Sequence, residues 1–171
     1  MNIKKLVLTT CIGIFFIPFY AAHADTIKDL ETIAKAIGFI NNGPSGEVQM
    51  DILYNPGNAE SVAHADEILD LTADGVRGKI TLTGRKISST SDAASKIIFI
   101  TRGTDNLYGA ALNAAAANGG LTVSTDENCL GTGCVLVVKT NPNIDILVST
   151  AAASKTGTTF SSVFSMMITK R

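Results

Sequence analysis

Ile97-Ile98-Phe99-Ile100-Thr101-Arg102-Gly103-Thr104-Asp105, followed further on by Asn118-Gly119-Gly120-Leu121-Thr122-Val123-Ser124, decides the fold of this chain. A continuous apolar run bounded by polar residues reads as a strand covered on both faces, and such a strand belongs in the middle of a sheet. Between the two stretches Leu107, Ala111, Leu112, Ala115 and Ala116 recur at helical spacing. Asp105 is the expected N-cap of that helix, and Asn118-Gly119-Gly120 supplies left-handed C-cap chemistry. Leu121 to Ser124 then gives a second strand. Strand, helix and strand in succession predict a right-handed β-α-β unit and a parallel sheet.

The flanks extend the same pattern. Residues 26–40 place Ile27, Leu30, Ile33, Ala34, Ile37 and Ile40 at amphipathic spacing, with Asp25 or Thr26 as N-cap and Thr26-x-x-Asp29 resembling a capping box. Asn41-Asn42-Gly43-Pro44-Ser45-Gly46 breaks the chain and reads as a mobile tether. A strand over 48–54, a helix over 58–70 with Val62, Ala65 and Leu69 inward, and a strand over 79–82 follow, then a short helical turn at Ala93-Ala94. Residues 135–139 and 144–148 flank Thr140-Asn141-Pro142-Asn143 and are expected to pair as an antiparallel hairpin. Residues 151–170 read as helical around a break at Lys155-Thr156-Gly157. The expected architecture is a single α/β domain: a mixed, mostly parallel sheet flanked by helices, with a C-terminal β-hairpin and helices.

The N-terminal 24 residues have the layout of a secretory signal peptide: Lys4 and Lys5, an apolar stretch from Leu6 to Tyr20, and Ala22-His23-Ala24 before Asp25. The apolar run is short for a spanning helix and is interrupted by Pro18. Cys11 lacks the preceding residues of a lipoprotein signal, since Thr9-Thr10 stand there. Export to the periplasm is the expectation. Removing residues 1–24 from the 171-residue chain leaves 147, and losing two lysines moves the formal net charge from −1 to −3. A domain of that size buries a substantial core. A mildly acidic balance gives no electrostatic footprint for nucleic acid.

Reactive side chains are scarce. The mature part has His64, Cys129 and Cys134, and the chain has no tryptophan. His64 lies in a solvated helical pattern and reads as a surface histidine. Glu60 and His64 share a helix face but fall short of a zinc or transition-metal ligand set, so no metal and no cofactor are expected. Gly75-Val76-Arg77-Gly78-Lys79 fails the phosphate-loop pattern at Ala73 and Ile80. Nothing groups acid–base or nucleophilic residues, and the chain is read as a non-enzyme. Arg77, Lys79, Arg85 and Lys86 follow closely on Glu60, Asp66, Glu67, Asp70 and Asp74; such opposite runs compensate on a solvated surface, or form a docking face.

Cys129-Leu130-Gly131-Thr132-Gly133-Cys134 is the strongest chemical signal. Two cysteines across a short glycine-bearing loop in an exported chain should form an intrachain disulfide. It serves either as a staple ahead of the strand at 135 or as an exposed, redox-sensitive clip.

The final third resembles the YfiR-type periplasmic proteins. The likeness lies in the strand before Arg102, in Gly120-Leu121-Thr122-Val123-Ser124, in the cysteine pair and the hairpin, and in Ser149-Thr150-Ala151 through Gly157 to Phe160-Ser161-Ser162. At 39–44 the chain carries Phe-Ile-Asn-Asn-Gly-Pro in place of the family's Trp-Pro ending. The resemblance implies a periplasmic repressor that binds the sensing domain of an inner-membrane diguanylate cyclase and lowers cyclic di-GMP signalling and biofilm formation, with Cys129 and Cys134 matching the structural disulfide. A homodimer stays open. The rival expectation is a periplasmic small-solute-binding protein. An open parallel sheet offers a crevice at the carboxyl ends of its strands, where Arg102 and Ser124 are placed to hold an anion or meet a partner.

Overall fold

The computed structural model describes residues 27–171; the expected signal peptide and the N-cap at Asp25 or Thr26 lie outside the described residues. The elements run α1 (Ile27–Ile37), β1 (Glu47–Leu53), α2 (Ala59–Thr72), β2 (Val76–Arg77), β3 (Thr81–Ile87), β4 (Ile97–Ile100), α3 (Tyr108–Ala117), β5 (Leu121–Ser124), β6 (Leu136–Lys139), β7 (Asp145–Val148), α4 (Thr150–Thr156), α5 (Ser162–Ser165) and β8 (Thr169–Lys170). They build one eight-stranded sheet in the order β2-β3-β1-β4-β5-β6-β7-β8. Strands β3, β1, β4, β5 and β6 run parallel, whereas β2 and β7 are antiparallel to β3 and β6. The expected mostly parallel α/β sheet and the antiparallel hairpin are both present.

β4 lies between β1 and β5, and its four apolar side chains are fully buried. The strand period of two sends them to opposite faces. One face collects Met50, Ile52, Leu82, Ile97, Phe99, Leu121, Val123, Leu136 and Val138, covered by Leu30, Ile33 and Ile37 of α1 and by Ala65 and Ile68 of α2. The other collects Leu53, Ile98, Ile100, Val137 and Leu147 beneath Tyr108, Ala111 and Ala115 of α3. α2 sits close on the sheet: a β-carbon at Gly84 would fall 2.3 Å from the Thr72 hydroxyl.

Several expectations are corrected. The inward face of α2 carries Ser61, His64, Ala65, Ile68 and Thr72, with Val62 and Leu69 half-buried. His64 is 1% exposed, not a surface residue. Asp105 opens a 3-10 turn, Asp105–Leu107, ahead of α3 and caps nothing with its side chain, whereas the far end of α3 is as expected, with Gly119 left-handed. The short strand β2 lies within Gly75-Val76-Arg77-Gly78-Lys79, outside the expected strands, because Val76 pairs with Leu82. The C-terminal helical reading stops early: Gly157 closes α4 in the left-handed conformation, α5 is a single turn, and β8 joins the sheet parallel to β7. The segment read as a mobile tether is tied at both ends, by the Asn41 amide to the Thr159 carbonyl at 2.9 Å and by the Thr81 amide to the Gly46 carbonyl at 2.9 Å.

Candidate functional site at the carboxyl edge of the sheet

Between β1 and β4 the strand order reverses, since the chain leaves β1 towards β3 and leaves β4 towards β5. Open α/β sheets take ligands at such a point, beyond the carboxyl ends of the strands. Here the loops after β1, β4 and β5 meet.

A relay of hydrogen bonds ties the first two loops. The Thr101 hydroxyl donates to the Leu53 carbonyl at 3.0 Å, so in its 2.8 Å bond with Ser61 it accepts, and Ser61 Oγ in turn accepts from the Asn55 amide at 2.8 Å. Asn58 caps α2 by accepting from the amides of Glu60 and Ser61. Gly103 passes beside it at φ +70°, where a β-carbon would fall 2.6 Å from the Asn58 amide nitrogen. Only glycine fits both conditions.

Arg102 is held through backbone and side chain. Its amide donates to His64 Nδ1 at 2.9 Å, and His64 packs edge-on against Phe99 with ring centroids 5.7 Å apart. Its guanidinium lies 3.8 Å from Glu60 and 3.6 Å from Glu67. Glu60, His64 and Glu67 stand at helical spacing on one face of α2, so that face receives the β4 loop. No signal in the helical pattern marks His64 as inward, because one polar residue within it carries no orientation by itself.

Ser124 is fully buried. Its hydroxyl donates to the Ile100 carbonyl at 2.7 Å and accepts from the Asp126 amide at 3.0 Å, so it ties the β5 loop to β4. Arg102 and Ser124 thus lie on the same sheet edge with different bonding: Ser124 is committed to backbone, and Arg102 is held by two loose ion pairs.

Tyr108, the first residue of α3, completes this edge. It is 5% exposed, and its hydroxyl has no hydrogen-bond partner. Burial, then the charges of Asp126 and Asp105 and the approach of the Asp105 carboxylate towards the hydroxyl, push its pKa well above the usual tyrosine range; no acceptor meets the hydroxyl in full hydrogen-bond geometry. A buried donor without an acceptor costs roughly 1–3 kcal/mol.

Cys129 and Cys134 form the expected disulfide, with Cα atoms 5.3 Å apart. Both are fully buried beside Tyr108 and Val137, which corrects the expectation of an exposed clip. The Cys129 carbonyl accepts from the amides of Gly133 and Cys134 at 2.8 Å each. The disulfide loop therefore packs on the α3 face, where a crossover helix between β5 and β6 would otherwise lie. Among the described residues no cluster of His, Cys, Asp and Glu has a metal-binding arrangement, and no helix is long and apolar enough to cross a membrane.

The fold and this edge define an open α/β sheet of the kind that binds ligands at a strand-order reversal. No protein-family model matches the chain, and no curated protein matches its sequence. Solved structures do share the fold. A conserved domain protein from Vibrio cholerae superposes with a TM-score of 0.58 at 14% identity, over 84% of this chain and 59% of that one. A ligand-free, open substrate-binding protein with adhesive properties from Clostridium difficile gives 0.60 at 10% identity, over 84% and 58%. A domain from Streptococcus pneumonia solved with L-Trp gives 0.56 at 9% identity, over 84% and 59%. The chain therefore spans under two thirds of the length of these proteins.

Proposed function

We propose that the protein is a small-solute-binding module of the cell envelope that takes its ligand at the carboxyl edge of the sheet. The observation that carries this reading is the Tyr108 hydroxyl, a buried donor without an acceptor at the edge where this fold class binds ligands. A substrate-binding protein and a domain solved with L-Trp share the fold, which supports it. Charge narrows the ligand. Arg102 offers a guanidinium, but Asp105 and Asp126 flank Tyr108, so a simple anion meets repulsion there. A zwitterion such as a free amino acid matches both signs, its carboxylate towards Arg102 and its ammonium towards the two aspartates. The test is a thermal-shift and calorimetry panel of amino acids against phosphate and sulfate. A ligand at a hundredfold excess over its Kd adds about 2.7 kcal/mol and raises Tm by several degrees. Asp126→Asn should remove that rise, and a panel without any shift would refute the reading.

A second reading is favoured by a different surface. Val163, Met166 and Met167, around α5, are 57%, 81% and 62% exposed. Exposed apolar side chains around one short helix, two of them methionines, suit protein contact. This supports a repressor of the YfiR type acting on the periplasmic domain of an inner-membrane diguanylate cyclase, by binding one sensor conformation better than the other. Cyclic di-GMP should rise in a strain lacking the gene and fall on complementation, but stay high when the complementing copy carries Met166→Asp with Met167→Asp. An unchanged level on deletion would sink this reading.

A further inference from the structure

Beside β7 and β8 a cleft opens between α4, the 158–160 segment and β8. Its volume is about 310 Å³. Its floor is apolar, made by Val148, Ala153, Phe160 and Ile168; threonine and serine hydroxyls form much of the rim, and Lys170 stands at its edge. Lys170 is the one ionisable side chain lining it. The surroundings match: from Ile146 to Arg171 the sequence holds no Asp or Glu but carries Lys155, Lys170 and Arg171, although the whole chain has a net charge of −1. The Arg171 carbonyl oxygen, the nearby acceptor, already receives the Thr150 amide at 2.9 Å and the Thr150 hydroxyl at 3.1 Å.

We infer that this cleft is a binding site for a small amphipathic carboxylate, an aliphatic or aromatic acid whose apolar body lies on Phe160 and Ile168 and whose carboxylate meets Lys170. An apolar cavity of about 150 Å³ already holds benzene, so this cleft has room for a body of roughly six to eight carbons beside a carboxylate. The Thr150 and Thr158 hydroxyls are committed to the Arg171 carbonyl and to Thr156, which leaves those of Ser154, Thr159 and Ser165 as further donors to the carboxylate. An ammonium ligand finds no carboxylate side chain in the lining, and an inorganic anion leaves the apolar floor wet. The inference goes beyond the proposed function, because the cleft lies away from the loops after β1, β4 and β5.

The experiment is calorimetric titration of the protein with phenylacetate and hexanoate, alongside phenylacetamide, hexanamide and sulfate, with backbone amide NMR to place the ligand. The carboxylates should bind, their amides about tenfold more weakly, and sulfate not measurably. Lys170→Gln, on the exposed strand β8, should weaken the carboxylates about tenfold and bring them level with the amides. Ser154→Leu, which projects a larger side chain into the cleft from an exposed position of α4, should block them with Tm unchanged. Shifted resonances should cluster in 148–160 and 165–170. The inference is overturned if neither acid binds, if sulfate binds as well as the acids, if Lys170→Gln binds like wild type, or if the shifts fall in 101–108 and 124–126. That last pattern places the acids at the carboxyl edge and leaves the amino-acid reading to its own panel. Should Ser154→Leu lower Tm, Lys170→Gln and the resonance map decide.

Discussion

The two faces of the sheet are held by different physics. On the face beneath α1 and α2, the central strands β1, β4, β5 and β6 present Met50, Ile52, Ile97, Phe99, Leu121, Val123, Leu136 and Val138, all apolar. On the face beneath α3, the same four strands interleave Asp51, Thr122 and Ser124 with their apolar residues, and the disulfide lies beside them. Asp51 is fully buried: it takes two bonds from Arg85 at 3.0 and 2.7 Å and one each from the Ala94 and Ser95 amides at 2.8 Å. Thr122 donates to the Gly133 carbonyl at 2.6 Å and accepts from the Val135 amide at 3.1 Å. One face relies on volume and shape, the other on directed bonds. The first should respond to cavities and the second to pH, removal of the disulfide and loss of single acceptors.

Substitutions test that division in descending order of effect. Phe99→Ala, at the centre of the apolar face, should lower stability by about 4 kcal/mol in denaturant unfolding, because a fully buried aromatic leaves a cavity that α2 and the sheet cannot close. Asp51→Asn should cost about 3 kcal/mol, since a fully buried side chain gives up the charge that holds the Ala94 and Ser95 amides and the Arg85 guanidinium.

Asp51 also gives the second face an acid limb. Burial pushes its pKa up, but the amides of Ser95 and Ala94 and the Arg85 guanidinium outweigh that and hold it below the ordinary carboxylate range. A depressed folded-state pKa means stability that is present above the unfolded value of about 3.9 and lost as pH falls through the folded one. Unfolding midpoints measured down this range should drop in the wild type and flatten in Asp51→Asn; a parallel drop in both would remove Asp51 as the cause.

Replacing Cys129 and Cys134 together by alanine should cost about 2 kcal/mol by loop-closure entropy. Because both sulfurs are buried, the wild-type disulfide should resist mild reductant until the domain opens, which thiol labelling against denaturant would show. Tyr108→Phe reverses the sign: removing an unpartnered buried hydroxyl should raise the stability of the unliganded protein by up to about 1 kcal/mol while weakening any ligand at the carboxyl edge. Glu127→Ala should change stability by no more than about 0.5 kcal/mol, because the 2.8 Å Glu127–Lys139 pair is about two-fifths exposed.

The apolar face was the legible one. Continuous runs such as 97–100 and helical spacing in α1 specify strands and inward stripes without knowledge of their partners. The face of directed bonds was not, since Asp51, Ser124 and Thr122 look in sequence like any polar residues of a half-exposed strand. Only the register that sets Asp51 beside Arg85 and the loop at 94–95 shows their role. Of the candidate site, Arg102 and Ser124 were legible as positions after strands, which is a property of topology. Tyr108 was not, because an unpartnered hydroxyl is a fact of three-dimensional surroundings. His64 and α2 show the same limit: an inward polar ring leaves no mark on a helical pattern.

Both ends of the sheet finish in two-residue strands, β2 and β8. A long open edge is a template on which other chains add strands and grow into aggregates. Each margin carries exposed cations, Arg77 on one and Lys170 with Arg171 on the other. β2 covers only Thr81 and Leu82 of β3, so among the described residues the outer side of 83–87 is left without a strand partner and charge, not coverage, guards it. A copy crowded against its neighbours has to bring like charges together to reach either margin. The cations at the margins therefore work against polymerising through the sheet, a safeguard placed where the pairing stops.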